Sequence, residues 1–143
     1  MVAANESTDS TVQINAVILM SLTFDTIDFG TLDPGVTNRS AIGNSNLTYN
    51  VTFDEDSITA DALWLKSTPI VSELDDSYEI GPSNLTVHAD PGIKTNLSTN
   101  YSRIATGISP GTTVNTFHFI DIPLGMTAGP YNGTMTFKAN ATR

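Results

Sequence analysis

The chain has 143 residues, the size of one domain that can bury about two thirds of its unfolded surface in a single core. Its formal net charge of −9 repels phosphate backbones, which excludes nucleic acid as a partner, and its lack of Cys excludes thiol catalysis, thiolate metal sites and disulfides. Thr, Val and Ile make up 41 residues while Glu, Lys, Arg and Gln total 11, a balance that predicts an all-β protein.

Residues 1–10 are polar and lack a positively charged run, so they are expected to be an extended leader of a mature secreted chain rather than a signal peptide. The longest apolar stretch, Ala16 to Met20, is far too short to span a bilayer, and no membrane span is expected. That stretch is apolar at every position, a pattern that wants burial on both faces. A strand near the start of a small sandwich would lie half exposed at a sheet edge. The conflict disappears if residues 11–22 insert into a neighbouring subunit's sheet, with Val12, Ile14, Ala16, Ile18 and Met20 filling a groove. Residues 11–22 are therefore the candidate intersubunit donor strand, and 23–143 the β-sandwich domain. An ordinary central strand inside its own domain is the alternative.

Residues 11–29 are predicted to hold one long strand or two, before a turn at Asp33-Pro34-Gly35. In 46–53 the apolar Leu47, Tyr49, Val51 and Phe53 alternate with Asn46, Thr48, Asn50 and Thr52, predicting a half-buried strand. An acidic loop follows, then a strand over 62–71 interrupted by Pro69; Trp64, between Leu63 and Leu65, is expected in the core. Residues 72–82 form a second acidic loop with a short strand at 78–80, and further strands are predicted at 85–89 and 103–106. Ser109-Pro110-Gly111 turns the chain into a strand over 113–122, whose Phe117 and Phe119 share a face and are expected to be core. A loop over 123–130 leads to the last strand, 131–139. Turn signals near every ten residues predict an immunoglobulin-like or jelly-roll-like β-sandwich of seven to nine strands.

Asparagine arithmetic supplies the first functional signal. Of the 12 Asn, nine have Ser or Thr two residues later: Asn5, Asn38, Asn46, Asn50, Asn84, Asn96, Asn100, Asn132 and Asn140. Composition alone would place about three. Strand phase points Asn46, Asn50, Asn84, Asn132 and Asn140 away from the apolar faces, so all nine are candidate N-glycosylation sites of an extracellular protein.

Chemistry-bearing constellations are sparse. The two histidines, His88 and His118, have no metal-ligand spacing, and both are expected to be surface or satisfied structural residues. No GxSxG elbow is present. The carboxylates of Asp54, Glu55, Asp56 and Asp61, and of Glu73, Asp75, Asp76 and Glu79, stand among Ser and Thr rather than in an apolar setting. They are expected to be solvated charge clusters whose neutralisation leaves assembly intact, with a Ca2+ site in one loop as the weaker alternative. No catalytic residue, no metal site and no cofactor are expected, and the chain is not expected to be an enzyme.

Two local patterns carry a resemblance. Ile27-Asp28-Phe29-Gly30-Thr31-Leu32-Asp33-Pro34-Gly35-Val36-Thr37-Asn38 has the form xxFGxxxPGxTN, and residues 122–137 read IPxGxxAGxYxGTxTF. Together they resemble the immunoglobulin-like β-sandwich domains of archaeal extracellular filament and cell-surface proteins of the bundling-pilus type, with a more distant likeness to TasA and camelysin biofilm fibre proteins. The resemblance implies a subunit that polymerises outside the cell, in several such systems by donor-strand complementation. Independently of it, Gly30 and Gly35 suit positive-φ turns, and Tyr131 suits a tyrosine corner whose hydroxyl bonds loop backbone. The expected function is thus a secreted, N-glycosylated homopolymer forming a filament, pilus or sheath, with contacts to other cells or filaments. The alternative is a monomeric surface or adhesin domain that binds glycan or protein through its loops.

Overall fold

Side chains alternate across a strand, so each strand's apolar parity decides which face it buries. The computed structural model describes residues 17–90 and 92–141, whose regular secondary structure is almost wholly antiparallel strand. Twelve occur among the described residues: β1 (Met20–Leu22), β2 (Arg39–Ser40), β3 (Asn50–Phe53), β4 (Ala60–Ser67), β5 (Ile70–Ser72), β6 (Glu79–Ile80), β7 (Leu85–Asp90), β8 (Thr95–Asn96), β9 (Ser102–Ile108), β10 (Thr113–Ile120), β11 (Tyr131–Asn132) and β12 (Met135–Asn140). Short 3-10 turns stand at Asn44–Asn46 and Pro82–Asn84. No helix among the described residues is long and apolar enough to cross a membrane.

A six-stranded sheet runs β1-β3-β10-β7-β8, with β2 pairing the far end of β10. A three-stranded sheet runs β9-β4-β12, and a small one β11-β5-β6. Val51 and Phe53 of β3, Leu85 and Val87 of β7, and Val114 and Ile120 of β10 pack in one core with Leu63 and Leu65 of β4, Ile104 and Ile108 of β9, and Phe137 of β12. The molecule is the all-β sandwich that its composition predicts, with its core between the two larger sheets.

The two motif segments are stitched together. The Gly35 N–H donates to the Ile122 carbonyl at 2.7 Å, the Ile122 N–H to the Val36 carbonyl at 2.9 Å, and the Asn38 N–H to Asp121 Oδ1 at 2.6 Å. Gly30 and Gly35 adopt φ of +74° and +87°, as their turns require. The Tyr131 hydroxyl donates to the Thr127 carbonyl at 2.8 Å, the tyrosine-corner bond that the sequence suggests.

Several predicted elements are corrected. The strand expected over 46–53 begins only at Asn50: Gly43 and Leu47 both take positive φ around the Asn44–Asn46 turn, which throws Leu47 to the surface while Tyr49 stays buried. The last predicted strand divides at Gly133-Thr134 into β11 and β12, which belong to different sheets. In place of a strand reaching Phe29, the described part of 11–29 pairs over Met20–Leu22 and again only at the Asp28–Ile42 bridge.

Three aromatic residues also fall on the opposite side from the one expected. In β10 it is Val114, Thr116, His118 and Ile120 that are buried, so Phe117 and Phe119 lie half-buried on the outer face. In β4 the buried parity belongs to Leu63 and Leu65, and Trp64 stands half-buried on the outside.

Candidate functional site

The amino-terminal edge gathers the features that bear most on assembly. Along β1, Met20, Ser21 and Leu22 lie opposite Phe53, Thr52 and Val51. The pairing extends backward: the Asp54 N–H donates to the Leu19 carbonyl at 3.0 Å, the Ile58 N–H to the Val17 carbonyl at 3.1 Å, and the Leu19 N–H to Ser57 Oγ at 3.1 Å. Residues 17–22 therefore lie against their own domain, with Ile18 and Met20 half-buried on the core.

Only one face of this apolar segment is covered. Val17 is 47% exposed and Leu19 41%, and at the end of the covered parity Leu22 is also 41% exposed. Among the described residues β1 is the terminal strand of the six-stranded sheet, and no described strand pairs with its far side. Edge strands ordinarily carry a charge or a proline that discourages pairing, and Met20-Ser21-Leu22 carries neither. A surface depression of about 240 Å³ beside it is lined by Ile18, Leu19, Met20, Ser21 and Asp54. Val12, Ile14 and Ala16 of the candidate donor strand, and the leader over 1–10, lie outside the described residues.

The sequon asparagines differ in how far their amide nitrogens, the atoms that would carry glycan, are engaged. Asn5 lies outside the described residues. Asn38, Asn46, Asn96, Asn100, Asn132 and Asn140 are exposed, and Asn50 and Asn84 half-buried. Asn50 is tied at both ends, its Nδ2 donating to the Leu47 carbonyl at 2.9 Å and its Oδ1 accepting from the Thr23 hydroxyl at 3.0 Å. Asn84 and Asn96 donate Nδ2 to the Gly81 and Ser83 carbonyls at 3.3 and 2.8 Å, and Asn132 donates to Glu73. By contrast Asn38 uses its Oδ1, accepting from Lys94, and Asn140 uses its Oδ1, accepting from the Trp64 indole at 2.8 Å.

Hydrogen bonding within the acidic loops is local. Asp54 Oδ1 accepts from the Asp56 N–H at 2.8 Å, and Asp75 Oδ1 from the Ser77 N–H and hydroxyl at 3.0 and 2.7 Å. The Ser77 bonds hold the Asp75 carboxyl below the usual carboxylate range. Among the described residues no three His, Asp or Glu side chains converge on a point that could hold a metal ion.

The histidines separate sharply. His88 is half-buried on the outer face, its ring 5.5 Å from that of Phe117. His118 is fully buried, flanked by the rings of Tyr49 and Phe137 at 5.4 and 6.5 Å, and burial pushes its pKa down to about 3. Its Nδ1 has no hydrogen-bond partner. It is a core residue on the buried parity of β10, shared with Val114 and Ile120.

One cluster escaped sequence reasoning. On the outer face of β9-β4-β12, Lys66 and Lys138 both stand over the ring of Tyr101, with Trp64 beside Lys138. The available signal was parity: once Leu63 and Leu65 face inward, Trp64 and Lys66 must share the outside. Comparison with protein families, known proteins and solved structures finds no match to this chain.

Proposed function

We propose that the chain is a secreted structural subunit that polymerises into an extracellular filament or sheath, with residues 11–22 inserting into the sheet of a neighbouring copy and residues 17–22 leaving their own sheet edge to do so. The observation that supports this reading is the half-covered apolar edge. Val17, Leu19 and Leu22 are exposed beside a strand that no described strand pairs on its far side, and a neighbour's sheet would cover them while pairing that backbone. The contacts made by Ile18 and Met20 within the chain would recur between chains, so exchange gives up little. Glycans at the exposed sequons would coat the remaining surface with hydrated sugar, leaving the edge as the favoured point of contact.

A reversible lock tests the exchange. Ser21 and Thr52 are direct cross-strand partners on solvent-facing positions, and the chain has no Cys of its own. In the double variant Ser21→Cys, Thr52→Cys, a disulfide formed in the monomer pins the segment to its own domain. Under oxidising conditions the variant is expected to sediment as monomer and, after reduction, to polymerise like the wild type. Polymerisation that is equally efficient with the lock closed would rule out exchange.

A further inference from the structure

Far from the amino-terminal edge, three of the six Lys and Arg residues of this acidic chain gather on the outer face of β9-β4-β12. Register sets Arg103, Trp64 and Lys138 side by side across the three strands, and Lys66 follows opposite Thr136. The Nζ atoms of Lys66 and Lys138 lie 4.6 and 4.4 Å from the centroid of the Tyr101 ring, and Lys138 lies 5.8 Å from that of Trp64.

Two ammonium groups sharing one ring repel each other, and a carboxylate between them would be the ordinary remedy. The outward positions Arg103, Trp64, Lys66, Thr136 and Lys138 include no acid, and the one carboxylate in these strands, Asp61, is exposed near the start of β4 and engaged elsewhere. Among the described residues no acidic side chain pairs with Lys66, Arg103 or Lys138. Beside Lys66 a depression of about 140 Å³, lined in part by Pro69, Thr134 and Thr136, offers room for one aliphatic side chain.

The complementary shape exists elsewhere on the same molecule. Between β5 and β6, Glu73, Leu74, Asp75 and Asp76 are all exposed, Leu74 to 73%. The turn is held by Ser72 Oγ, which accepts from the Leu74 and Asp75 N–H groups at 3.2 and 3.3 Å, and by the Ser77 bonds to Asp75. It presents one leucine among three carboxylates, matching an aromatic face with three cations and a side-chain-sized depression.

We propose that the basic, aromatic face of β9-β4-β12 receives the Glu73–Asp76 loop of a second copy of this chain, Leu74 entering the depression and the carboxylates meeting Lys66, Lys138 and Arg103. Because the two surfaces differ, the contact is heterologous. It repeats head to tail without closing on itself unless the rotation happens to form a ring, and it gives the polymer a direction. The inference rests on the assembly reading and adds to it a second, salt-sensitive contact. It also replaces the expectation that neutralising the acidic loops leaves assembly intact, for this loop alone.

Paired charge reversals test it. In K66E/K138E the face becomes acidic, and in D75K/D76K the loop becomes basic, so each variant repels itself at the contact. Each alone is expected to need at least tenfold more protein than the wild type to sediment as polymer at low salt. An equimolar mixture, in which every junction is again opposite in sign, is expected to recover. Circular dichroism and melting of each monomer establish that it is folded, and recovery in the mixture confirms that the surfaces are intact. Either variant polymerising like wild type, or a mixture that fails to recover, overturns the contact. So does K66E/K138E polymerising normally while losing binding to an acidic polysaccharide such as alginate, which would assign the face to a glycan. If the charge reversals behave as expected but the S21C/T52C variant still polymerises with its disulfide closed, strand exchange fails and this contact stands; a wild type that stays monomeric at every salt concentration overturns both.

Discussion

The Thr116 hydroxyl lies 2.9 Å from Nε2 of His118 and also 2.7 Å from the Tyr49 carbonyl, to which it donates. Its one proton is thereby committed to Tyr49, so Nε2 must be the donor to Thr116 and the imidazole holds its proton there. Nδ1 is left as a bare lone pair in a site walled by the Tyr49 and Phe137 rings. Protonating it would place a cation in the core without an acceptor to receive it. The Asn44 side chain completes the arrangement, donating to the His118 carbonyl at 2.9 Å and accepting from the His118 N–H at 3.1 Å.

Stability should therefore fall as pH drops below the ordinary histidine range. In the unfolded chain His118 takes up a proton near its usual value of 6.5, while in the fold it stays neutral until about pH 3. Across that window the unfolded state binds more protons, so unfolding free energy is lost at up to about 1.4 kcal/mol per pH unit. Urea melts at pH 7, 6, 5 and 4 measure it, and His118→Phe should flatten the profile between pH 7 and 5. A profile equally steep in that variant would assign the effect elsewhere.

Position within the strand predicts a sharp contrast between two leucines. Leu65 is fully buried between the sheets, and Leu65→Ala should cost about 2–5 kcal/mol. Leu47 is 47% exposed at a φ of +55°, so Leu47→Gly should cost nothing and relieves a strained backbone, with a gain of up to about 1 kcal/mol. Equal losses at the two sites in denaturant unfolding would mean that Leu47 packs as the sequence pattern suggests.

That pair also marks what was legible beforehand. Leu85, Val87 and Ala89 lie buried where alternation placed them, and the Pro69 break falls between β4 and β5, because local parity and proline stereochemistry act within a few residues. Leu47 failed the pattern because Gly43 let a turn replace the strand, an outcome that a two-residue period does not encode. Trp64, Phe117 and Phe119 failed for a different reason. Each belongs to a strand with two apolar parities, and which parity faces inward is set by the opposite sheet rather than by the strand itself. Of the candidate site, the apolar run over 16–20 was legible as a whole. That Ile18 and Met20 face the core while Val17 and Leu19 do not is a property of the pairing with β3.

Glycan occupancy should follow the engagement of the amide nitrogen. Asn46 is exposed at the end of the 3-10 turn and Asn38 leaves its Nδ2 unengaged, so both are expected to be modified in most molecules from the native host. Asn50, half-buried with both amide atoms hydrogen-bonded, should be the least occupied of the eight sequon asparagines among the described residues. Peptide mass spectrometry of native material decides it. Occupancy at Asn50 equal to that at Asn46 would show that modification precedes the closure of these bonds, and unmodified asparagine throughout would remove glycan from the proposed function.

Deleting residues 1–20 separates the fold from its assembly. The core residues Val51, Phe53, Leu63, Leu65 and Leu85 are contributed by β3, β4 and β7, so the truncated chain retains the sandwich between its two larger sheets. Among the described residues, what it loses is the cover that Ile18 and Met20 give to that core, together with the pairing of Met20 opposite Phe53. Since both side chains are only half-buried, the expected loss is about 2–4 kcal/mol, within the reach of a domain this size. The product should be a folded monomer with a lowered melting temperature that does not polymerise. A synthetic peptide of residues 11–22 should bind the vacated edge of β3, raise the melting temperature in proportion to the logarithm of its concentration above Kd, and inhibit polymerisation of the intact chain. A peptide with Ile18 and Met20 replaced by Ser should do neither. Truncated protein that still polymerises, or a peptide that binds it without slowing the wild type, would separate the edge strand from assembly.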